Sequence, residues 1–198
     1  MASFPRLPCR TDRCNILDPK KFNDLLSYTE KEDASALYRI TFLEKPREDQ
    51  LHLDIGCGPG TFTKTHLVPR SFPCKKIVAV DKSPAMIEFG RKNSAHDSIT
   101  FDIFDFCSDD AGVLLAKYGH FDRIYSFLSV HYVNDERKAF KELAQLLTPE
   151  SGECLVSSAV STAIFDAWLD LFLKERWRLL IPVSIYNFIH DFYLARKV

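Results

Sequence analysis

The sequence predicts an α/β fold built on a doubly wound, mainly parallel sheet. Three observations carry that prediction. Short apolar runs alternate with amphipathic helical stretches; a glycine cluster joins the first run to the stretch after it; and the unusual residues fall at the carboxyl ends of the runs. Strand, helix and strand in succession imply right-handed crossovers. Sheets of this kind receive ligands outside the strand carboxyl ends, near the point where strand order reverses.

Residues 1–17 read as an irregular leader. They lack the apolar core of a secretory signal, and Asp12 with Pro5 and Pro8 argues against an amphipathic transit helix. Asp18 followed by Pro19 is a helix start. Phe22, Leu25 and Leu26, then Leu37, Ile40 and Leu43, fall at helical spacing, giving one or two helices that end before Pro46. These form an N-terminal helical cap, residues 18–46. The core, residues 47–160, opens with the strand LHLDI (51–55), and a helix begins near Thr61. The strand KIVAVD (76–81) follows, then a helix with Ser83 as N-cap and Pro84 at its first position. SITFDIFDF (98–106) and FDRIYSFLSV (121–130) are strands. NDERKAFKELAQLLTPESG carries a helix with acids in its first turn and Pro149 beyond its end, and ECLVSSA (153–159) is the fifth strand. Residues 161–198 hold an amphipathic helix stopped by Pro182 and an atypical apolar tail.

Composition narrows the function. A formal net charge of −1 and a pI near 6.6 give no field for nucleic acid or anionic membrane. No apolar run reaches the ~18 residues of a membrane-spanning helix. The six cysteines (9, 14, 57, 74, 107, 154) form no CxxC pair and read as reduced thiols of a cytoplasmic protein, with no metal site implied.

Gly56, Gly58 and Gly60 crowd three of the seven glycines into one turn between a strand and a helix. Glycine lets the backbone take positive φ and lets a ligand approach, and the helix beyond offers unpaired N–H groups. Asp81 ends the second strand, where a carboxylate accepts hydrogen bonds from ribose hydroxyls. Asp105, with Phe106 beside it, is placed to take the amine and ring of an adenine, and Met86 to cover the ring's other face. A core position serves Met86 equally well. A nicotinamide dinucleotide is the competing ligand. Position 61, the place of the third dinucleotide glycine, is Thr61. The acid after the third strand has a task only under an adenine, and the only Tyr-x-x-x-Lys match, Tyr193 to Lys197, lies in the last six residues. S-adenosylmethionine is the ligand that satisfies all three.

LDIGCGPG, VAVDKSPAMIEFGRK, FDRIYSFLSVHYV and KAFKELAQLLTP resemble the S-adenosylmethionine-dependent class I methyltransferases, and within them the juvenile hormone acid O-methyltransferase branch, over roughly residues 28–177. The resemblance implies a Rossmann-like sheet. It assigns Asp54, Gly56, Gly58 and Gly60 to the methionine moiety, Asp81 to the ribose, Asp105 and Phe106 to the adenine, and Ser126 to a place under the sulfonium. His131 and Tyr132 fall where the acceptor would sit; Tyr132 replaces the family's tryptophan. The implied acceptor is a small carboxylic acid of the isoprenoid or fatty acid class. Transfer to another small acceptor and silent S-adenosylmethionine binding stand as alternatives. The family's seven-strand sheet carries an antiparallel hairpin after the fifth strand. The residues following Ala159 are too few for a helix and two strands, so the last strand pair is expected to be missing from a C-terminally truncated chain. The fifth strand would then be an open edge, to be covered by the tail, a partner or a second copy.

Overall fold

The computed structural model describes residues 18–26, 30–106, 108–130, 133, 136–159 and 190–196. Helices α1 (Pro19–Leu26) and α2 (Glu30–Arg39) precede β1 (Leu51–Ile55). A π-helical segment, Thr63–Leu67, runs into α3 (Val68–Ser71). Then come β2 (Lys76–Asp81), α4 (Pro84–Asn93), β3 (Ile99–Ile103), α5 (Ala111–Tyr118), β4 (Arg123–Phe127), α6 (Glu136–Leu146), β5 (Glu153–Ala159) and β6 (His190–Arg196). The sheet order is β3-β2-β1-β4-β5-β6. Strands β1 to β5 pair in parallel. Strand order reverses between β1 and β4, which puts the switch point at the end of β1.

Local chemistry sets the helix starts. Asp18 Oδ1 accepts from the N–H groups of Lys20 and Lys21 at 3.0 Å each. Ser83 Oγ accepts from Met86 N, with Pro84 at the first position of α4. Asp110 caps α5, its carboxylate accepting from Gly112 N at 2.8 Å. Helix α5 is an addition to the elements expected from the sequence, and its one sequence signal is this single acid before AGVLLAKY.

The two faces of the sheet have separate cores. Leu53, Ile55, Val78, Val80, Ile124 and Val156 pack beneath α5 and α6, against Leu114, Leu143 and Leu146. On the other face Ile77, Tyr125 and Leu155 meet Leu37 of α2 and Leu67, and Ala79 and Phe101 meet Ile87 of α4. A buried polar row crosses this second face at the amino ends of the strands. His52 is the register partner of Arg123, and Arg123 of Glu153. The Arg123 guanidinium lies 4.0 Å from the Phe42 ring centroid and donates to the Glu44 carbonyl, while Glu153 accepts from Leu43 N at 3.0 Å. The row thus clamps the connection between α2 and β1.

The expected open edge is corrected. β6 pairs antiparallel with all seven residues of β5, from Glu153↔Arg196 to Ala159↔His190. An unpaired row of N–H and C=O groups is costly, and the tail supplies the complementary strand. One antiparallel strand therefore stands where the last strand pair was expected to be missing. The third and fourth strands are also shorter than read, ending at Ile103 and Phe127. The expected helix over 162–180 lies outside the described residues.

Candidate functional site

The turn after β1 is held in a conformation that needs glycine. Gly56, Gly58 and Gly60 have φ of +72°, +53° and +73°. A Cβ on Gly56 would lie 2.2 Å from Ser129 Cβ, and one on Gly60 2.5 Å from the Phe101 ring. Both are forbidden contacts. The N–H groups of Gly56 and Cys57 donate to the Val80 carbonyl at 2.8 and 3.0 Å, which stitches the turn to β2.

Asp81, at the end of β2, is fixed from both sides. Its Oδ2 accepts from Gly58 N at 2.9 Å and its Oδ1 from Ser83 N at 2.9 Å. Each oxygen keeps lone-pair capacity for a further donor. Asp54 lies behind the turn, buried, and accepts from Thr63 Oγ1 at 2.6 Å. Burial pushes the Asp54 carboxyl up to about 7; the Thr63 hydrogen bond opposes this and the Asp81 charge adds to it. Burial also raises Asp81. The Ser83 and Gly58 amides and Lys82 oppose that rise, and Asp105 reinforces it. Both carboxyls therefore ionise less readily than in water, and a cationic ligand bearing hydroxyl donors would favour their charged forms.

Asp105 lies in the turn beyond β3, half-buried, its N–H donating to Asp109 Oδ2 at 2.8 Å. Phe106 packs partly against the core beneath α5 and α6. Met86 is buried on α4. Ser126 is fully buried, its Oγ 2.5 Å from Ser129 Oγ, which in turn donates to the Ile55 carbonyl at 2.8 Å. The loop after β4 is thereby tied to the glycine turn, and Leu128 within it takes a φ of +52°. His131 and Tyr132 lie outside the described residues.

The geometry thus brings Asp54, Gly56, Gly58, Gly60 and Asp81 into one network, with Asp105 within electrostatic range and Ser126 joined through Ser129. It also adds residues that the sequence did not single out. Thr63 gave no local signal. Ser129 was visible only as the second serine of SFLS. Phe22 and Asn23 reach the turn from α1: the Phe22 ring lies 3.1 Å from where a Gly58 Cβ would stand, and Asn23 Oδ1 accepts from Thr61 Oγ1.

The sequence profile of the methyltransferase domain family matches residues 53–150, from within β1 to the turn before β5. The chain belongs to the S-adenosylmethionine-dependent class I methyltransferases. It is 30% identical over 125 residues to juvenile hormone acid O-methyltransferase of Bombyx mori, covering 63% of this chain and 44% of that one. It is 28% identical over 154 residues to malonyl-[acyl-carrier protein] O-methyltransferase of Hahella chejuensis, covering 78% and 49%. The chain therefore spans about half the length of these relatives. Among solved structures, N-methyltransferase NodS from Bradyrhizobium japonicum WM9, in complex with S-adenosyl-L-homocysteine, matches the fold. Its TM-score is 0.54 at 22% identity, over 70% of this chain and 65% of that one. The methyltransferase domain is thus the part of the chain that carries the glycine turn and Asp81. Among the described residues no helix is long and apolar enough to cross a membrane.

Proposed function

We propose that this chain transfers the methyl group of S-adenosylmethionine to a small-molecule carboxylate, with isoprenoid and fatty acids as the acceptor class. The observation that carries the cofactor half is the fixed Asp81. Its carboxylate is held by Gly58 and Ser83 amides at the junction of the glycine turn and β2, with acceptor capacity left for a ribose. In this reading Asp54, Gly56, Gly58 and Gly60 hold the methionine end, Asp105 and Phe106 the adenine with Met86 across it, and Ser126 supports the sulfonium side through Ser129. The same reading assigns His131 and Tyr132 to the acceptor on the family resemblance alone. The acceptor half is supported by the two relatives named above for O-methylation of juvenile hormone acid and of a malonyl carrier protein.

The bound cofactor supplies an electrophilic methyl on a sulfonium. A carboxylic acid acceptor is already ionised near neutral pH, so these residues need not abstract a proton. Their task is to align the acceptor oxygen with the methyl and exclude water, effects worth up to ~7–11 kcal/mol in model reactions. The network from Ile55 through Ser129 to Ser126 fixes the loop that does this.

One observation favours a second reading, a different small acceptor. Asp33 of α2 is buried and accepts from Ser157 Oγ at 2.9 Å near the carboxyl end of β5, and the Ser157 carbonyl accepts from Leu128 N in the strained loop. An anionic acceptor seated there would meet like charge, whereas an amine would not. Incubating the protein with methyl-labelled S-adenosylmethionine and a panel of isoprenoid acids, fatty acids and amines separates these. Base-labile methyl esters are the expected product. Label on amines would establish the second reading, and ligand binding with no transfer to any acceptor would establish a silent binding protein.

A further inference from the structure

The two acids at the ends of β1 and β2 are compensated unequally. Asp81 accepts from two backbone amides, Gly58 N and Ser83 N, and the Lys82 charge acts on it as well. Asp54 is 3% exposed, and among the described residues its one hydrogen-bond donor is Thr63 Oγ1 at 2.6 Å. A buried carboxylate stays charged when several donors or a cation compensate it; with a single hydroxyl the neutral acid is favoured. The groups around Asp54 supply no cation. Its register partners are Ala79 of β2 and Tyr125 of β4, and the end of β2 adds the Asp81 charge. The turn in front of it contributes Cys57. On the π-helical segment Lys64 is exposed and His66 is paired with Glu30. Burial holds His52, on the same strand, down at about 3, and it raises the Tyr125 hydroxyl and the Cys57 thiol. None of these three changes charge where a raised carboxyl titrates.

We propose that Asp54 is uncharged in the ligand-free protein and gives up its proton when the α-ammonium group of the S-adenosyl ligand is seated, so that cofactor binding is coupled to the release of a proton. This rests on the cofactor reading above, which assigns the methionine end to Asp54 and the glycine turn. The exchange is balanced: the carboxyl O–H bond breaks, its electron pair stays on the Asp54 oxygen, and the proton passes to solvent. The ligand's ammonium then supplies the compensation that Thr63 alone does not. The coupling suits both states of the site. Without ligand, no second charge is buried beside Asp81; with ligand, a full carboxylate meets the cationic amino acid end and selects it over an uncharged nucleoside.

The test is calorimetric titration of S-adenosylhomocysteine into wild-type protein and into the Asp54→Asn and Thr63→Val variants, each in buffers of different ionisation heat across pH 5 to 8. Burial holds the Asp54 carboxyl at about 7, so wild type should release about one proton per ligand at pH 6. Its affinity should rise about tenfold from pH 5 to 6 and level off above 7. Asp54→Asn keeps the shape and an oxygen for Thr63, and should lose both the release at pH 6 and the rise in affinity. Thr63→Val removes the bond that opposes burial, so the release should persist and the levelling-off should move to higher pH. Wild-type binding without proton release, or Asp54→Asn releasing as many protons as wild type, would overturn the coupling and leave the cofactor reading standing. If circular dichroism shows Asp54→Asn unfolded, Thr63→Val decides, and an unshifted profile overturns the coupling. Wild-type protein that binds no S-adenosylhomocysteine would instead overturn the cofactor reading, and the coupling with it.

Discussion

His52 and Asp54 lie two residues apart on the same face of β1, yet His52 joins the polar row at the strand's amino end and Asp54 the glycine turn at its carboxyl end. At the amino end His52 stands beside Arg123 and Glu153, buried charges that hold the α2–β1 connection in place. At the carboxyl end Asp54 sits behind a turn with three positive-φ glycines, near Asp81, and the loop tied to that turn through Ser129 holds Leu128 at a positive φ. The amino end pairs most of its polar groups with one another and with the backbone, although His52 Nδ1 and one Arg123 nitrogen find no hydrogen-bond partner among the described residues. The carboxyl end holds strained backbone and like charges in proximity, an arrangement that persists only where the surrounding structure over-determines it. Stability is therefore expected to reside in the first end and ligand binding in the second.

The comparison breaks most visibly if Arg123 is removed. Arg123→Ala leaves Glu153 as a buried charge without its guanidinium and opens the contact with Phe42, so the folded state should lose about 3–5 kcal/mol in urea titration. Ligand affinity of the remaining folded protein should be unchanged. A variant that unfolds no more easily than wild type would remove the amino end from its assigned role. Gly56→Ala is next. Its Cβ would meet Ser129 in a left-handed conformation, costing about 2–4 kcal/mol. Here affinity for S-adenosylhomocysteine should fall as well, because the turn and the loop after β4 must part. Thr63→Val is smaller, about 1–3 kcal/mol, for the lost hydrogen bond to buried Asp54. Since that bond opposes the effect of burial, the Asp54 carboxyl should titrate still higher in the variant, measurable by carboxyl NMR.

The subtlest contrast is in pH. Burial, with the Arg123 charge, holds His52 down at about 3 against an ordinary 6.5, so its contribution to stability is complete above pH 6.5 and is lost as pH falls towards 3. Asp54 runs the other way. Raised from 3.8 to about 7, it contributes fully below pH 3.8 and loses that contribution as pH rises through 7. Between about pH 4 and 6.5 the two slopes oppose, and wild-type stability should vary little on their account. His52→Gln should expose a decline as pH rises through this window, and Asp54→Asn a decline as pH falls. Identical pH profiles for both variants would refute the assigned environments.

Much of this was legible in the residues. β1, β2 and β5 stand where LHLDI, KIVAVD and ECLVSSA put them, because a short apolar run between turn residues leaves few alternatives. The caps at Asp18 and Ser83 were equally plain, since side-chain capping is local chemistry. The overlong readings of β3 and β4 have one cause: Phe104 and Phe106, like Phe121 and Val130, are apolar because they pack on the core from turns, and periodicity does not separate a packed turn from a strand. α5 was missed because Ala111–Tyr118 carries little polar contrast. The pairing of β6 with β5 depends on contacts far apart in sequence. At the site, the glycines and Asp81 announced themselves by position. Thr63, Ser129, Phe22 and Asn23 did not, because each acts through a tertiary contact.

Cofactor binding turns on the carboxylate that closes β2, and one titration decides whether it does so. S-adenosylhomocysteine is titrated calorimetrically into the wild-type chain and into Asp81→Asn, which keeps the shape but not the charge. Wild type should bind, and the variant should bind about 10- to 100-fold more weakly, the equivalent of one or two charge-assisted hydrogen bonds; because its amide nitrogen cannot accept from both the Gly58 and Ser83 N–H groups, the variant should also melt somewhat earlier while remaining folded. Equal affinity in the two proteins, or no binding heat in wild type, would contradict the claim.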